Sequence, residues 1–291
     1  MAEKVTCVWS ITAELGEGPL WVAEESCLYW VDIRQQQVHQ LNINNGNRQS
    51  WTFAEPITSL ALRQSGGFVG TTPDGFVVVN FETQTVEPIV LPEAHLPGNR
   101  FNDGKVDGNG RFWSGTLHRA ENEPTGTLYR LDPDLTLHTM DTGYIITNGP
   151  AFSVDGKTMY HNDSVKGFVY AFDLHNDGSV SGKRPFQQLT FAKEGAPDGM
   201  TVDSENCLWL AHYGGARLTR FAPTGEILQE VPLPVPNVTS CTFGGPALDT
   251  LYITTAAQNM SPAELEKYPL SGSLFACKPG VTGLPTPKFA G

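Results

Sequence analysis

The sequence predicts an all-β protein, a six-bladed β-propeller in which four-stranded antiparallel blades surround a central channel. Three observations lead to this fold class: a repeat runs through the 291 residues, its units are made of strand-length apolar runs, and turn dipeptides separate those runs. A repeat of about 40 to 50 residues is typical of propeller blades. Because a closed ring protects its sheet edges, we expect one domain over residues 1–291.

The repeat consists of six units spaced 40 to 50 residues apart. They begin near Glu17, Ile57, Asn102, Asn148, Asp198 and Val238. Each unit opens with a short apolar strand, and a strand rich in aromatic and β-branched side chains follows, such as CLYWVD at Cys27–Asp32. Dipeptides such as Asn45-Gly46 and Asp74-Gly75 favour hairpin turns between the strands. The pattern therefore predicts one blade per unit.

Two further segments complete the predicted fold. Residues 5–9 resemble a strand, and we expect them to supply the outer strand of the last blade and so fasten the ring. An open solenoid is the alternative for such a repeat, but it needs polar capping units, which the first and last repeats lack. Residues 261–267 predict a short helix, with Ser261 as its N-cap and Pro262 in its first turn.

The composition excludes several classes of partner. The formal net charge is −12, and no basic stripe is present to neutralise phosphates, so the sequence argues against nucleic-acid binding. No apolar run has the length of a membrane span, and the first residues lack the pattern of a secretory leader. We therefore expect a cytoplasmic protein with no membrane or nucleic-acid partner.

Four segments place an oxygen-bearing side chain next to a glycine at the start of a repeat unit. They are Glu17-Gly18, Asn102-Asp103-Gly104, Asn148-Gly149 and Asp198-Gly199. Taken singly, such dipeptides are usually ordinary turns. Equivalent positions in the blades of a propeller converge on one axis, however, so four matching segments predict a shared site at one mouth of the channel.

The chemistry of these side chains indicates a cation site. Carboxylate and amide oxygens are hard ligands that suit Ca²⁺, Mg²⁺ or Mn²⁺. Zn²⁺ is less expected, because the set contains neither His nor Cys. Three or four protein ligands would leave positions open for water or substrate.

Arg100 precedes Asn102 in the most polar stretch that enters an inner strand. Two interpretations remain open from the residues alone. Its guanidinium offers several fixed donors to the oxygens of a bound substrate. Alternatively, Arg100 is a surface arginine that pairs with Asp103 or Asp107, an arrangement that is common and contributes little.

These motifs resemble the family of regucalcin (senescence marker protein), gluconolactonase and luciferin-regenerating enzyme, in the form of a bacterial sugar lactonase. The resemblance extends over all six units, and NRFNDGKVD at 99–107 is its most specific part. The other matching segments are GEGPLW at 16–21, ALRQSGG at 61–67, TNG at 147–149, PDGM at 197–200 and TSCTFGG at 239–245.

The resemblance implies a six-bladed propeller with one divalent cation (Ca, Mn, Zn or Mg) and a sugar lactone as the small-molecule substrate. It assigns Glu17, Asn148 and Asp198 as metal ligands and Asp198 also as the catalytic residue that transfers the proton. It assigns Arg100 and Asn102 to substrate binding.

One departure from the family concerns a substrate-binding glutamate of the third blade. Strict alignment from Gly115-Thr116 places Ala120 at that position, whereas a shift of one residue places Glu121 there. This difference leaves the identity of the sugar open.

The implied reaction is metal-dependent hydrolysis of an aldonolactone to the aldonic acid, in which the cation polarises the carbonyl and Asp198 moves the proton. No Gly-x-Ser-x-Gly motif is present, which disfavours a serine hydrolase. Two alternatives remain: phosphotriester hydrolysis at the same cation, and a non-catalytic propeller whose cation is structural.

Overall fold

The computed structural model describes residues 4–291, and in this part of the chain 24 strands form six separate four-stranded antiparallel sheets. The prediction of an all-β, six-bladed propeller is therefore confirmed. The described residues contain no helix with the length and apolarity needed to cross a bilayer.

The strands follow one another from the inner to the outer edge of each blade. Strand β1 (Thr6–Trp9) comes first in the chain and belongs to the last blade. Blade 1 contains β2 (Gly16–Val22), β3 (Cys27–Asp32), β4 (Gln37–Asn42) and β5 (Arg48–Thr52). Blade 2 contains β6 (Ser59–Leu62), β7 (Phe68–Thr71), β8 (Phe76–Asn80) and β9 (Thr85–Val90). Blade 3 contains β10 (Asn99–Val106), β11 (Phe112–His118), β12 (Gly126–Leu131) and β13 (Leu137–Tyr144).

The second half of the ring repeats this order. Blade 4 contains β14 (Thr147–Phe152), β15 (Thr158–Asp163), β16 (Phe168–Leu174) and β17 (Val180–Gln188). Blade 5 contains β18 (Ala196–Val202), β19 (Leu208–Tyr213), β20 (Arg217–Phe221) and β21 (Ile227–Pro232). Blade 6 contains β22 (Val238–Gly244), β23 (Thr250–Thr255) and β24 (Leu274–Cys277), with β1 as its outermost strand.

The two ends of the strand sequence meet in blade 6. Strand β1 pairs antiparallel with β24, so that Thr6 lies opposite Ala276 and Cys7 opposite Phe275. The same sheet therefore contains the first and the last strands of the described chain. Opening the ring at this blade would break backbone hydrogen bonds and expose a sheet edge.

Two short helices lie between strands. Helix α2 (Pro262–Lys267) begins where the sequence predicts it: the Ser261 hydroxyl accepts from the backbone N–H of Glu264, and the Glu264 carboxylate accepts from that of Ser261. This reciprocal pair is a capping box. Helix α1 (Phe191–Glu194) precedes blade 5 and has no side-chain cap, so no local signal in the sequence predicts it.

The interior repeats one contact between a turn aspartate and a tryptophan. In blade 3 the Trp113 Nε1 donates to Asp107 Oδ2 at 2.9 Å, and in blade 5 the Trp209 Nε1 donates to Asp203 Oδ2 at the same distance. All four side chains are buried. A buried polar ring atom needs such a partner, and here it also orients the indole in the core between blades.

After β24 the chain runs across the end of the channel where the inner strands finish. Along this path Gly283 donates to Leu248 O, Phe289 to Leu62 O and Ala290 to Gly110 O, at 2.7 to 3.0 Å. The tail therefore contacts blades 6, 2 and 3 in turn. Residues 284–287 of the tail border a cavity of about 480 Å³ at this distal mouth.

We expect Phe289→Ala to destabilise the protein by about 3–5 kcal/mol, because the Phe289 ring is fully buried and its removal leaves a cavity. Urea unfolding followed by tryptophan fluorescence measures the change. Leu228→Ala is the control, since that side chain is 47% exposed. Equal stabilities of the two variants would show that the tail is not anchored through Phe289.

Candidate active site

The predicted site residues lie at a repeated irregularity of the inner strands. In blades 1, 3, 4 and 5, two residues of the inner strand lie opposite one residue of its neighbour, which is a β-bulge. The register shifts between Glu17 and Leu20, Phe101 and Gly104, Asn148 and Ala151, and Pro197 and Met200. Blade 2 pairs without a shift, and blade 6 shifts at Val238 to Ser240 with a different count. The four bulges therefore mark the four blades with site residues.

The bulges explain the glycines that follow the site residues. Gly18 and Gly149 have φ values of +51° and +85°, a conformation that glycine adopts without strain. Gly199 is needed for a different reason, because a Cβ atom there would lie 2.2 Å from Ser240 Oγ of blade 6. The dipeptides are therefore not ordinary hairpin turns.

The structure brings all five predicted site residues to one cavity of about 330 Å³ at the mouth where the inner strands begin. Its floor includes Glu17, Arg100, Asn102, Asn148 and Asp198. Each of the five side chains is buried. Cavities of a few hundred Å³ with a few convergent polar groups are typical of small-molecule sites.

A chain of hydrogen bonds connects the polar groups of blades 3 and 4. An Arg100 guanidinium nitrogen donates to Asn102 Oδ1 at 2.9 Å. Asn102 Nδ2 donates to Asn148 Oδ1 at 2.9 Å and to Thr147 O at 2.8 Å, and Asn148 Nδ2 donates to Ser164 Oγ at 2.9 Å. Asn102 thus uses both ends of its amide to orient Arg100 and Asn148. The amide oxygen of Asn148 keeps a second lone pair for a ligand.

Arg100 is a cavity residue and does not form the alternative surface pairs. Asp103 accepts from the backbone N–H groups of Gly104 and Gly149 at 2.8 and 3.0 Å. Asp107 accepts from Trp113 and lies 3.5 Å from Arg111. Burial lowers the pKa of Arg100 to about 10, so its guanidinium remains charged at neutral pH.

Asp103 orients two loops of the site, as the sequence suggested. Its two carboxylate oxygens connect the bulge of blade 3 to the bulge of blade 4 through Gly104 and Gly149. A buried carboxylate that accepts two backbone hydrogen bonds fixes both partners. The side chain therefore supports the site from below.

Glu17 and Asp198 concentrate negative charge at the floor of the cavity. Burial, and then the carboxylates of Asp198 and Asp103, raise the pKa of Glu17 well above its usual range. Burial and the Asp103 carboxylate raise the pKa of Asp198 in the same way. Both carboxylates are thus in an environment that disfavours their ionised form.

A divalent cation fits this set of donors. Two mutually repelling carboxylates and the amide oxygen of Asn148 are hard oxygen ligands, and a cation between them would remove their repulsion. Among residues 4–291 no three His, Cys, Asp or Glu side chains form a metal-binding group, so the set depends on the asparagine.

The third-blade loop settles which of two neighbours faces the cavity. Glu121 borders the cavity with a backbone φ of +57°, whereas Ala120 is exposed to solvent. The negative charge of Glu121 also favours the protonated form of Asp198. Glu121 is therefore the residue available to a bound molecule.

Sequence analysis missed several residues that build the site. Ser164, Tyr213, Gln258 and Asn259 border the cavity from loops and strand ends without a motif. Glu93, in the loop before β10, is buried and accepts from Asn99 Nδ2, Thr116 Oγ1 and Tyr129 OH at 2.9 to 3.0 Å. It holds the residue that precedes Arg100, and only the folded chain reveals this contact.

We expect Glu93→Gln to lower stability by about 1–3 kcal/mol, because the amide presents a donor to three groups that need an acceptor. Chemical denaturation measures the change. Glu82→Gln, at an exposed position, is the matched control. A loss in Glu93→Gln no larger than in the control would contradict the role of this carboxylate.

We expect metal-stripped Asp198→Asn to be more stable than the metal-stripped wild type at pH 8. Because folding raises the pKa of Asp198, its ionisation opposes folding, and this cost grows as the pH rises above the unfolded value of about 4. The asparagine does not carry the charge.

Thermal unfolding in chelator, from pH 4 to pH 8, measures the effect. The Tm difference should be near zero at pH 4 and reach a few degrees at pH 8, since 1 kcal/mol corresponds to about 2–4 °C at this size. Exposed Asp134→Asn is the control. A lower Tm for Asp198→Asn across the range would refute the inferred repulsion.

Comparisons with known proteins agree with this geometry. A family model described as "SMP-30/Gluconolactonase/LRE-like region" matches residues 15–257. A 6-deoxy-6-sulfogluconolactonase from Pseudomonas putida is 35% identical over 100% of both chains, and regucalcin from Xenopus laevis is 38% identical over 99% of both. The solved structure of a luciferin-regenerating enzyme aligns with a TM-score of 0.90 and 30% identity, over 100% of this chain and 99% of the other. The chain therefore belongs to the SMP-30/gluconolactonase/LRE-like family.

Proposed function

We propose that this protein is a lactonase that hydrolyses a sugar lactone to the aldonic acid with the help of one divalent cation. The observation that carries the proposal is the convergence of two buried carboxylates, an amide and a buried arginine at the floor of one cavity. Membership of the gluconolactonase-type family supports lactone hydrolysis. The name of the Pseudomonas putida relative adds a gluconolactone with a modified sixth carbon as a model for the substrate.

Glu17, Asn148 and Asp198 are the residues that would hold the cation. When bound there, a divalent cation supplies positive charge that polarises the lactone carbonyl and favours attack by water. Ca²⁺, Mn²⁺, Mg²⁺ and Zn²⁺ are the candidates, and the oxygen ligands favour the first three.

Asp198 is the proposed base and acid of the reaction. Its raised pKa makes it a stronger base than an ordinary aspartate. It accepts a proton from the attacking water while the water oxygen bonds to the carbonyl carbon. When the bond between that carbon and the ring oxygen breaks, Asp198 returns the proton to the ring oxygen, and the aldonic acid is formed.

Arg100 and Asn102 are the proposed substrate-binding residues. The guanidinium has donors beyond those used for Asn102 Oδ1 and Phe101 O, and these can bind the hydroxyl or carbonyl oxygens of the sugar. Asn102 keeps the guanidinium in place. Glu121, which borders the same cavity, is a further acceptor for hydroxyl groups.

The test is proton release from a panel of aldonolactones by wild type, Asp198→Asn and the exposed control Asp134→Asn. Each protein is assayed after metal removal and after addition of Ca²⁺, Mn²⁺, Mg²⁺ or Zn²⁺. We expect turnover that requires a cation and a loss in kcat/KM of about 10²–10⁴-fold or more in Asp198→Asn, the range for removal of a general acid–base.

Two outcomes would contradict the proposal. Wild-type turnover by Asp198→Asn would remove this residue from the chemistry. Absence of turnover on every lactone, with a cation that still raises Tm, would favour a non-catalytic propeller. A phosphotriester included in the panel distinguishes the remaining alternative, since its hydrolysis without lactone hydrolysis would assign the site to phosphotriesters.

A further inference from the structure

The cavity has an apolar wall that the proposed chemistry does not use. On the side of blades 4 and 5, Ile146, Val165 and Phe191 border the cavity above its polar floor. Ile146 is half-buried, Val165 is 51% exposed and Phe191 is 66% exposed. We call these three side chains the apolar wall.

The exposure of the apolar wall is unusual within the described chain. Eight large hydrophobic side chains of residues 4–291 are exposed, Phe191 is the most exposed of them, and two of the eight border this one cavity. Leaving such side chains in water forgoes about 1.5–3 kcal/mol of burial each. An exposed apolar patch beside a cleft is typical of a binding surface.

Backbone contacts hold the wall in its exposed position. Helix α1 is tied to blade 5, because His212 Nδ1 donates to the Glu194 carbonyl oxygen at 2.8 Å. The Phe191 ring lies over Gly214, where a Cβ atom would come 3.4 Å from the ring. Phe191 therefore stands at the rim.

A second contact fixes the turn that carries Val165. The backbone N–H of Ser164 donates to Ile146 O at 3.0 Å, which joins the turn after β15 to the residue before β14. Ile146 and Val165 consequently belong to one fixed segment of blade 4. The wall is thus built from two anchored elements.

We infer that the apolar wall binds an aliphatic substituent carried by the lactone ring. The inference rests on the proposed function and extends its substrate class from hydroxylated sugar lactones to alkyl-substituted ones. The polar floor holds the reacting carbonyl, and the wall is continuous with that floor within one cavity. A chain attached to the ring can therefore reach the wall while the carbonyl stays at Asp198.

The first experiment measures kcat/KM for γ-lactones whose alkyl chain grows from methyl to hexyl, with glucono-1,5-lactone as the hydroxylated reference. We expect wild type to gain up to about fourfold per methylene until the wall is covered, the factor that corresponds to about 0.8 kcal/mol. A flat or falling series, with normal turnover of the gluconolactone, would overturn the inference and leave the lactonase proposal intact.

The second experiment uses Phe191→Ser and Val165→Thr, the latter a near-isosteric change that adds only polarity. Both should flatten the chain-length series and leave kcat/KM for glucono-1,5-lactone within about twofold. Ile227→Ser is the matched control, because Ile227 is 55% exposed and lies outside the cavity-lining residues. Equal series in the variants and the control would contradict the inference.

Two further readings separate this inference from others. Light scattering before and after Phe191→Ser tests a second copy of the chain as the occupant, and a loss of dimer without a change in the series would overturn the substituent assignment. Absence of hydrolysis of both glucono-1,5-lactone and the alkyl lactones would instead refute the lactonase proposal on which the inference rests.

Discussion

Ring closure is the constraint on which the rest of the molecule depends. The pairing of β1 with β24 completes blade 6 from the first and last strands of the described chain. Six inner strands are thereby held around one axis, and residues at the same position of successive strands face each other although 46 to 85 positions separate them in sequence. The site exists only in the closed ring, because each of its five floor residues comes from a strand that contributes one or two of them.

The bulges convert this symmetry into a chemical site. A regular antiparallel ladder would leave the strand starts fully paired, as in blade 2. Two residues opposite one in four blades turn an oxygen-bearing side chain toward the axis and release backbone groups to the neighbouring blade. The cost is electrostatic, because Glu17 and Asp198 come together away from water. Such tension between stability and activity is common at sites where charge is buried for a purpose.

Much of the fold could be predicted from the sequence because its signals are local and repeated. Turn dipeptides, strand composition and a constant interval define the blades, and the Ser261 capping box defines α2. The convergence of Glu17, Asn102, Asn148 and Asp198 could be predicted as well, since the glycine next to each oxygen-bearing residue records the bulge. Their roles in catalysis and metal binding remain predictions.

Other features could not be predicted, because they depend on contacts between distant segments. Glu93 lies in an irregular loop, and nothing in its sequence context indicates that three donors will surround it. The choice between Ala120 and Glu121 depends on one positive φ value. Helix α1, which carries Phe191, is too short to leave a periodic pattern, and the tail that ends beyond Phe289 has no strand signal at all.

The close approach of the inner strands has a kinetic meaning. Gly199 leaves so little space beside Ser240 that the strands of blades 5 and 6 touch directly, and the proximal and distal cavities have no lining residue in common. A molecule at the polar floor therefore has no passage along the axis. Whatever enters past Phe191 and Glu121 leaves the same way, so in this enzyme class product departure and substrate arrival would exclude each other, and the two would compete for a single doorway.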